Sequence, residues 1–190
     1  MKPQQELTRY YKWLREYGYN DSHSGNISVR NGDAVLITPT SACADTLLPE
    51  DFVTCGIDAV IPAGASGDAA LHLKVYQRNA KANAIIHSHG AYSVAMTLNG
   101  EDFVPADFEG QLYFPKVPVI TVPYETYFAD AAIKVAEMLA EYPVCIVRGH
   151  GVYAQAESLN LAYKWICSLE LSAKTGFLAK QAGTMAKAPV

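Results

Sequence analysis

The chain has 190 residues and a formal net charge of -4; 50% of its residues are hydrophobic, 11% aromatic and 18% charged. That length and apolar content suit one packed domain over residues 1–190 and exclude an intrinsically disordered chain. The acidic balance, with Lys and Arg scattered along the chain, argues against a nucleic-acid partner. No run is long and apolar enough for a membrane span, and the first six residues lack the apolar core of a signal peptide, so a cytoplasmic protein is expected.

In chain order, Leu7, Tyr10, Tyr11 and Leu14 recur at helical spacing, which predicts an amphipathic helix over residues 3–17 stopped by Gly18. Two β-rich runs follow, 27–30 and 34–38. Asn31-Gly32-Asp33 between them predicts a hairpin, because Asn and Gly accept positive φ. Residues 53–57 read as a third strand, and 66–78 as a helix capped by Ser66 or Asp68. Residues 84–89 form an apolar strand that runs into Gly90, with 91–98 helical after it. Further on, 117–122 reads as a strand, 130–141 as a helix, 144–147 as a buried strand and 159–182 as a long closing helix. The tail 183–190 reads as a frayed end. This mixed order, with at least one hairpin, predicts a layered α/β domain with a mixed sheet. Cys43, Cys55, Cys145 and Cys167 are widely spaced and form no Cys-x-x-Cys pair, so buried free thiols are expected.

The main chemical signal is His87-Ser88-His89 at the end of an apolar strand. Residues two apart on a strand point to the same face, so both imidazoles can reach one ion from a rigid support. Two histidines can also simply finish a strand. His150 comes from a second buried run, 144–147, into Gly149-His150-Gly151, where flanking glycines let the backbone approach a ligand closely. A turn histidine with a hydrogen-bonded ring is the plainer alternative there. Together, three histidines on strand ends match an open catalytic zinc site, which keeps a position for water or substrate.

Asp68 precedes His72 by four residues, so the two share a helix face. Asp68 can serve as a fourth ligand, as a proton-transfer base or as a helix cap. His72 reads as structural, orienting Asp68 or filling space under the site. Ser24-Gly25-Asn26 and Thr38-Pro39-Thr40-Ser41 offer backbone and side-chain donors suited to an anion, although each is also an ordinary polar turn.

These residues, taken in order, resemble the class II aldolase/adducin amino-terminal family. The likeness is carried by Ser24-Gly25-Asn26-Ile27-Ser28, Ile37-Thr38-Pro39-Thr40, Ser66-Gly67-Asp68 with His72, Ala84-Ile85-Ile86-His87-Ser88-His89, Gly149-His150-Gly151 and the closing Leu169-Glu170 helix. It implies a three-layer α/β/α sandwich with a mixed, largely antiparallel central sheet, and a homotetramer with sites at subunit interfaces. It also implies one divalent metal per subunit, zinc first and manganese or iron as alternatives, on His87, His89 and His150. In the aldolases a Glu that binds metal and moves a proton stands where this chain has Asp68. The phosphate pocket of the family corresponds here to Asn26, Thr40, Ser41, Ser66 and Gly67, with Ser41 in place of a Gly and Ser66-Gly67 in place of a Ser-Ser pair. A catalytic Tyr that the aldolases take from a neighbouring subunit has no clear match in this chain; the region 108–113 corresponds approximately, which makes Glu109 and Tyr113 candidates.

The function implied is a metal-dependent lyase acting on a small molecule: retro-aldol cleavage of a hydroxy-ketone, a sugar or sugar phosphate, through an enediolate. A decarboxylase or epimerase of the same family is the second reading. A non-catalytic, adducin-like assembly protein is the third, and the retained histidines argue against it.

Overall fold

The structure, a computed structural model, describes residues 2–185. A mixed sheet of seven strands runs in the order β3-β2-β1-β4-β7-β6-β5. Its strands are β1 (Asn26–Asn31), β2 (Ala34–Ile37), β3 (Val53–Gly56), β4 (Ala84–Ser88), β5 (Val119–Ile120), β6 (Val144–Val147) and β7 (Gly151–Ala156). Every neighbouring pair is antiparallel except β5 and β6, which are parallel. The helices are α1 (Pro3–Glu16), α2 (Ala69–Arg78), α3 (Ala91–Met96), α4 (Phe108–Tyr113), α5 (Tyr127–Glu141) and α6 (Leu159–Ala182).

Period-two alternation divides the strands between two cores. On β4, Ala84 and Ile86 face a cluster built from α1 and α6, whereas Ile85 faces a cluster built from α2 and α5. β6 divides in the same way, with Val144 and Ile146 on the first face and Cys145 and Val147 on the second. Covered on both sides, β4 and β6 are buried throughout, which is why they read as continuous apolar runs. The helices thus form two layers around the sheet, as expected. The apolar stripe of α1 (Leu7, Tyr10, Tyr11, Leu14) is buried, each side chain contributing about 1.5–3 kcal/mol.

Several boundaries differ from expectation for local reasons. The hairpin turns at Gly32 and Asp33, with Asn31 paired to Ala34 inside the ladder. The second helix starts at Ala69, because Ser66-Gly67-Asp68 is a turn in which Ser66 Oγ accepts from the Asp68 N–H at 3.3 Å. The fifth strand shrinks to Val119–Ile120, and α5 starts at Tyr127 after a 3-10 turn over Tyr124–Thr126. Neither α4 nor β7 was expected. Of the cysteines, only Cys55 and Cys145 are buried; Cys43 and Cys167 are half-buried, Cys43 in the loop after β2 and Cys167 on α6 beside Tyr19 and Tyr163, and all four are free thiols. At the tail, Gly183 closes α6, and 186–190 lie outside the described residues.

Candidate metal centre

The site lies on the α2/α5 face of the sheet, where β1, β4 and β7 end together. Register builds it: Asn26 pairs with His87, and His87 pairs with Tyr153, so these three side chains form one row across adjacent strands. His87 and Tyr153 stack face to face, 4.0 Å between centroids and 2° from parallel. His89 lies two residues beyond His87, and its N–H is fixed by Tyr19 O and Asn20 Oδ1, both at 2.9 Å. His150 sits in the tight turn between β6 and β7, its N–H on Val147 O at 3.0 Å, with Gly149 supplying the positive φ of 68° that the turn needs. Glu170 of α6 secures the far side. Its carboxylate accepts from Tyr92 N at 2.8 Å and Ser93 N at 3.0 Å, which ties the start of α3 to α6 just after His89.

The ligand atoms of His87, His89 and His150 lie within 4.8 Å of one another. The donor set fits a divalent transition metal. His87 Nδ1 donates to Val152 O at 3.0 Å, which leaves Nε2 as the lone-pair atom facing His89 Nε2 at 2.8 Å. Burial pushes His87 well below the ordinary imidazole range, His89 down to about 4 and His150 in the same direction. Neutral imidazoles with converging lone pairs are what metal ligation requires.

Asp68 occupies the N-cap position of α2, but its side chain accepts nothing from that helix. It turns into the site instead. Oδ2 accepts from Asn26 Nδ2 and from the Tyr153 hydroxyl, both at 2.9 Å, and Oδ1 accepts from the Tyr127 hydroxyl at 3.3 Å. Burial raises the Asp68 carboxyl, but the polar His87 ring beside it and the hydrogen bonds from Asn26 and Tyr153 outweigh that and hold the group below its ordinary value. His72 does not orient Asp68 through a hydrogen bond. Fully buried, it holds Ser28 Oγ with Nδ1 at 2.7 Å, and Ser28 Oγ in turn meets the Tyr76 hydroxyl at 2.8 Å. Burial pushes the His72 pKa down to about 4, so the ring is a neutral brace between β1 and α2.

An open cleft of about 340 Å³ brings together Asn26, Thr40, Ser41, Ser66, Gly67, Asp68, His87, His89 and His150. Among the described residues, neither Lys nor Arg lines it. Asn26 donates one of its two amide protons to Asp68, and the hydroxyls of Ser24, Thr40, Ser41 and Ser66 are further side-chain donors for an anionic or polyhydroxyl group. Glu109 and Tyr113 are elsewhere: α4 packs on α6, with the Tyr113 ring against Trp165 and Lys164, and neither residue lines this cleft within one chain. Sequence reasoning missed Tyr127, Phe128 and Tyr153. The first two line the cleft from the start of α5, and Tyr153 lies beneath it on β7.

Ser41 has φ 56°, the only positive φ outside glycine among the described residues. The left-handed conformation costs a side-chain-bearing residue about 1–2 kcal/mol, against about 0.4–1 kcal/mol for the extra unfolded-state freedom of glycine. Ser41→Gly is therefore expected to stabilise the fold slightly and raise Tm by roughly 1–4 °C. A lower Tm in thermal denaturation would show that the Ser41 hydroxyl itself holds the loop.

The sequence model of the Class II Aldolase and Adducin N-terminal domain matches residues 5–176. The chain belongs to this family. An L-fuculose phosphate aldolase of Methanocaldococcus jannaschii is 29% identical over 168 residues, covering 87% of this chain and 90% of the relative. A 3-oxo-tetronate 4-phosphate decarboxylase of Escherichia coli is 27% identical over 187 residues, covering 92% and 85%. Among solved structures, an L-fuculose-1-phosphate aldolase from Thermus thermophilus superimposes with a TM-score of 0.87 at 32% identity, covering 96% of this chain and 97% of the other. The relatives of this class II aldolase-family chain are thus enzymes named as aldolases and decarboxylases.

Proposed function

We propose that the chain is a metal-dependent lyase that cleaves the carbon–carbon bond of a hydroxy-ketone, a sugar or sugar phosphate, by a retro-aldol reaction. The observation that carries this reading is the convergence of three neutral imidazoles beside an ionised carboxylate at the floor of a cleft lined with hydroxyls. A divalent ion held by His87, His89 and His150, zinc first and manganese or iron as alternatives, would supply Lewis-acid stabilisation of the enediolate charge. Asp68 moves the proton at the carbon that carries that charge. Thr40, Ser41 and Ser66, with the backbone around Gly67 and the Asn26 amide behind them, orient the polar end of the substrate away from the triad. Glu109 and Tyr113 serve, in this reading, a neighbouring subunit of a cytoplasmic homotetramer.

The decarboxylase reading has its own support in a 3-oxo-tetronate 4-phosphate decarboxylase of Cupriavidus necator, 36% identical over 101 residues that span 52% of this chain and 46% of the relative. Both reactions leave the same kind of enolate, so product analysis on a panel of hydroxy-ketones and carboxylated keto-sugars separates them. Purified protein is expected to carry close to one transition-metal ion per chain by elemental analysis. His89→Ala should lose most of it. A triple alanine variant of His87, His89 and His150 that still holds a full complement would sink the metal assignment.

A further inference from the structure

We propose that Tyr153 and Tyr127, with Asn26, hold Asp68 away from the metal-binding triad, so that Asp68 works as an unligated base and not as a fourth ligand. The inference rests on the metal reading above. A carboxylate has about four lone-pair sites on its two oxygens. Oδ2 is the oxygen facing the triad, 3.9 Å from His87 Nε2, and it already accepts two hydrogen bonds, from Asn26 Nδ2 and the Tyr153 hydroxyl. Ligation needs a lone pair directed at the ion from about 2.0–2.2 Å. The oxygen closest to the triad is therefore the one with no lone pair to give. Oδ1 accepts only from Tyr127, which leaves it one site for a substrate proton.

The clamp is rigid because its parts come from different elements. Tyr153 is fully buried, paired in register with His87 and stacked on its ring, so its hydroxyl cannot follow Asp68 toward the triad. Tyr127 comes from the first residue of α5, which packs along α2; with the Tyr153 proton on Asp68 Oδ2, the single Tyr127 proton is shared between the Tyr153 hydroxyl oxygen at 2.5 Å and Asp68 Oδ1 at 3.3 Å. Asp68 lies just before α2, whereas Asn26 and Tyr153 stand on the sheet. To ligate, the carboxylate would have to break at least one of its two Oδ2 bonds while staying buried, and hydrogen bonds to a charged group are among the costlier ones to lose. These tyrosines are positioning residues: they act on the reaction through Asp68.

Zinc affinity, measured on the full-length protein by competition with a chromophoric chelator, tests this without any substrate. Tyr153→Phe keeps the ring stacked on His87 and frees one Oδ2 lone pair. Zinc binding is expected to tighten about tenfold, within the range for changes next to metal ligands, and the visible spectrum of the cobalt-substituted protein should gain the signature of an added ligand. The change should vanish in the Tyr153→Phe/Asp68→Asn double variant. Asp68→Asn alone should leave zinc affinity within about threefold of wild type, an expectation of the same order. Tyr127→Phe, at a partly exposed position that tolerates the loss of a hydroxyl, should move affinity in the same direction and lower kcat more than it changes KM. The proposal is overturned if Asp68→Asn alone loosens zinc tenfold or more, or if both tyrosine variants leave affinity and the cobalt spectrum unchanged. Absence of zinc and cobalt binding in the wild-type protein would instead overturn the metal reading on which it rests.

Discussion

Asp68→Asn is expected to lower turnover by about 10²-fold or more, the usual loss when a general acid or base is removed, while the fold and the bound metal persist. The hydrogen-bond geometry explains why the fold should survive. Asn keeps a carbonyl oxygen in the position of Oδ2, where Asn26 and Tyr153 donate to it, and places its amide nitrogen where Oδ1 stood. Tyr127 donated to Oδ1, but a hydroxyl can turn and accept, so the amide finds a partner. No donor is left facing a donor, and the cost should stay near about 1 kcal/mol, a Tm change of roughly 2–4 °C. What disappears is the anion. An amide has no basicity with which to take a proton, so kcat should collapse while KM and metal content, measured on the same preparation, change little. If turnover is unchanged, Asp68 is only a tie between α2 and the sheet, and the proton passes to another group, with Glu109 from a neighbouring subunit the first to test. If metal is lost together with turnover, Asp68 is a ligand and the clamp described above does not operate.

The legible parts of this site are those that local sequence controls. His87 and His89 stood out because β4 is apolar on both faces and its two-residue period fixes their common direction. His150 stood out because β6 is apolar and glycines bracket the turn. The partners of Asp68 were hidden for the opposite reason. Asn26 and Tyr153 reach it through strand pairings from 42 and 85 positions away. Residues Gly151–Ala156 hold two strong strand formers, Val152 and Tyr153, among Gly, Ala and Gln, too short a signal to stand out before β4 and β6 flank it as a central strand. With β7 unread, Tyr153 had no address. Tyr127 was lost to a boundary: the helix was expected from residue 130, and the 3-10 turn Tyr124–Thr126 carries it back to Tyr127. The cap position of Asp68 was legible and its side-chain partners were not, since position depends on neighbours in sequence and partners on the tertiary fold. Glu170 follows the same rule, a helix residue whose work is done on the backbone of α3 seventy-seven positions earlier.

Gly151→Ala is expected to empty the site without unfolding the chain. A Cβ at Gly151 would stand 2.3 Å from Ser88 O, 2.8 Å from His87 Cε1 and 3.0 Å from His89 Cδ2, all too close for a carbon. The closest of these atoms is backbone of the central strand β4, paired on both sides, so it cannot yield without disturbing two ladders. The rings are softer. The turn that carries Gly151 and the two rings are expected to give way, and since ligand distances must hold to about 0.2 Å for a metal to stay bound, zinc affinity should fall by about 10²-fold or more, the upper range seen for changes behind metal ligands. Overpacking of this kind costs about 1–3 kcal/mol, which for a chain of this length lowers Tm by roughly 2–12 °C. Circular dichroism should still report a native-like fold. Gly176→Ala supplies the contrast: in α6 its Cβ would meet nothing closer than Met96 Cε at 3.6 Å, and the higher helix propensity of Ala should leave stability equal or better by up to about 1 kcal/mol with metal content intact. If Gly151→Ala instead kept its metal and turnover, the triad would not depend on close approach at this turn, and the arrival of His150 beside His87 and His89 would need another cause than the missing side chain at its neighbour.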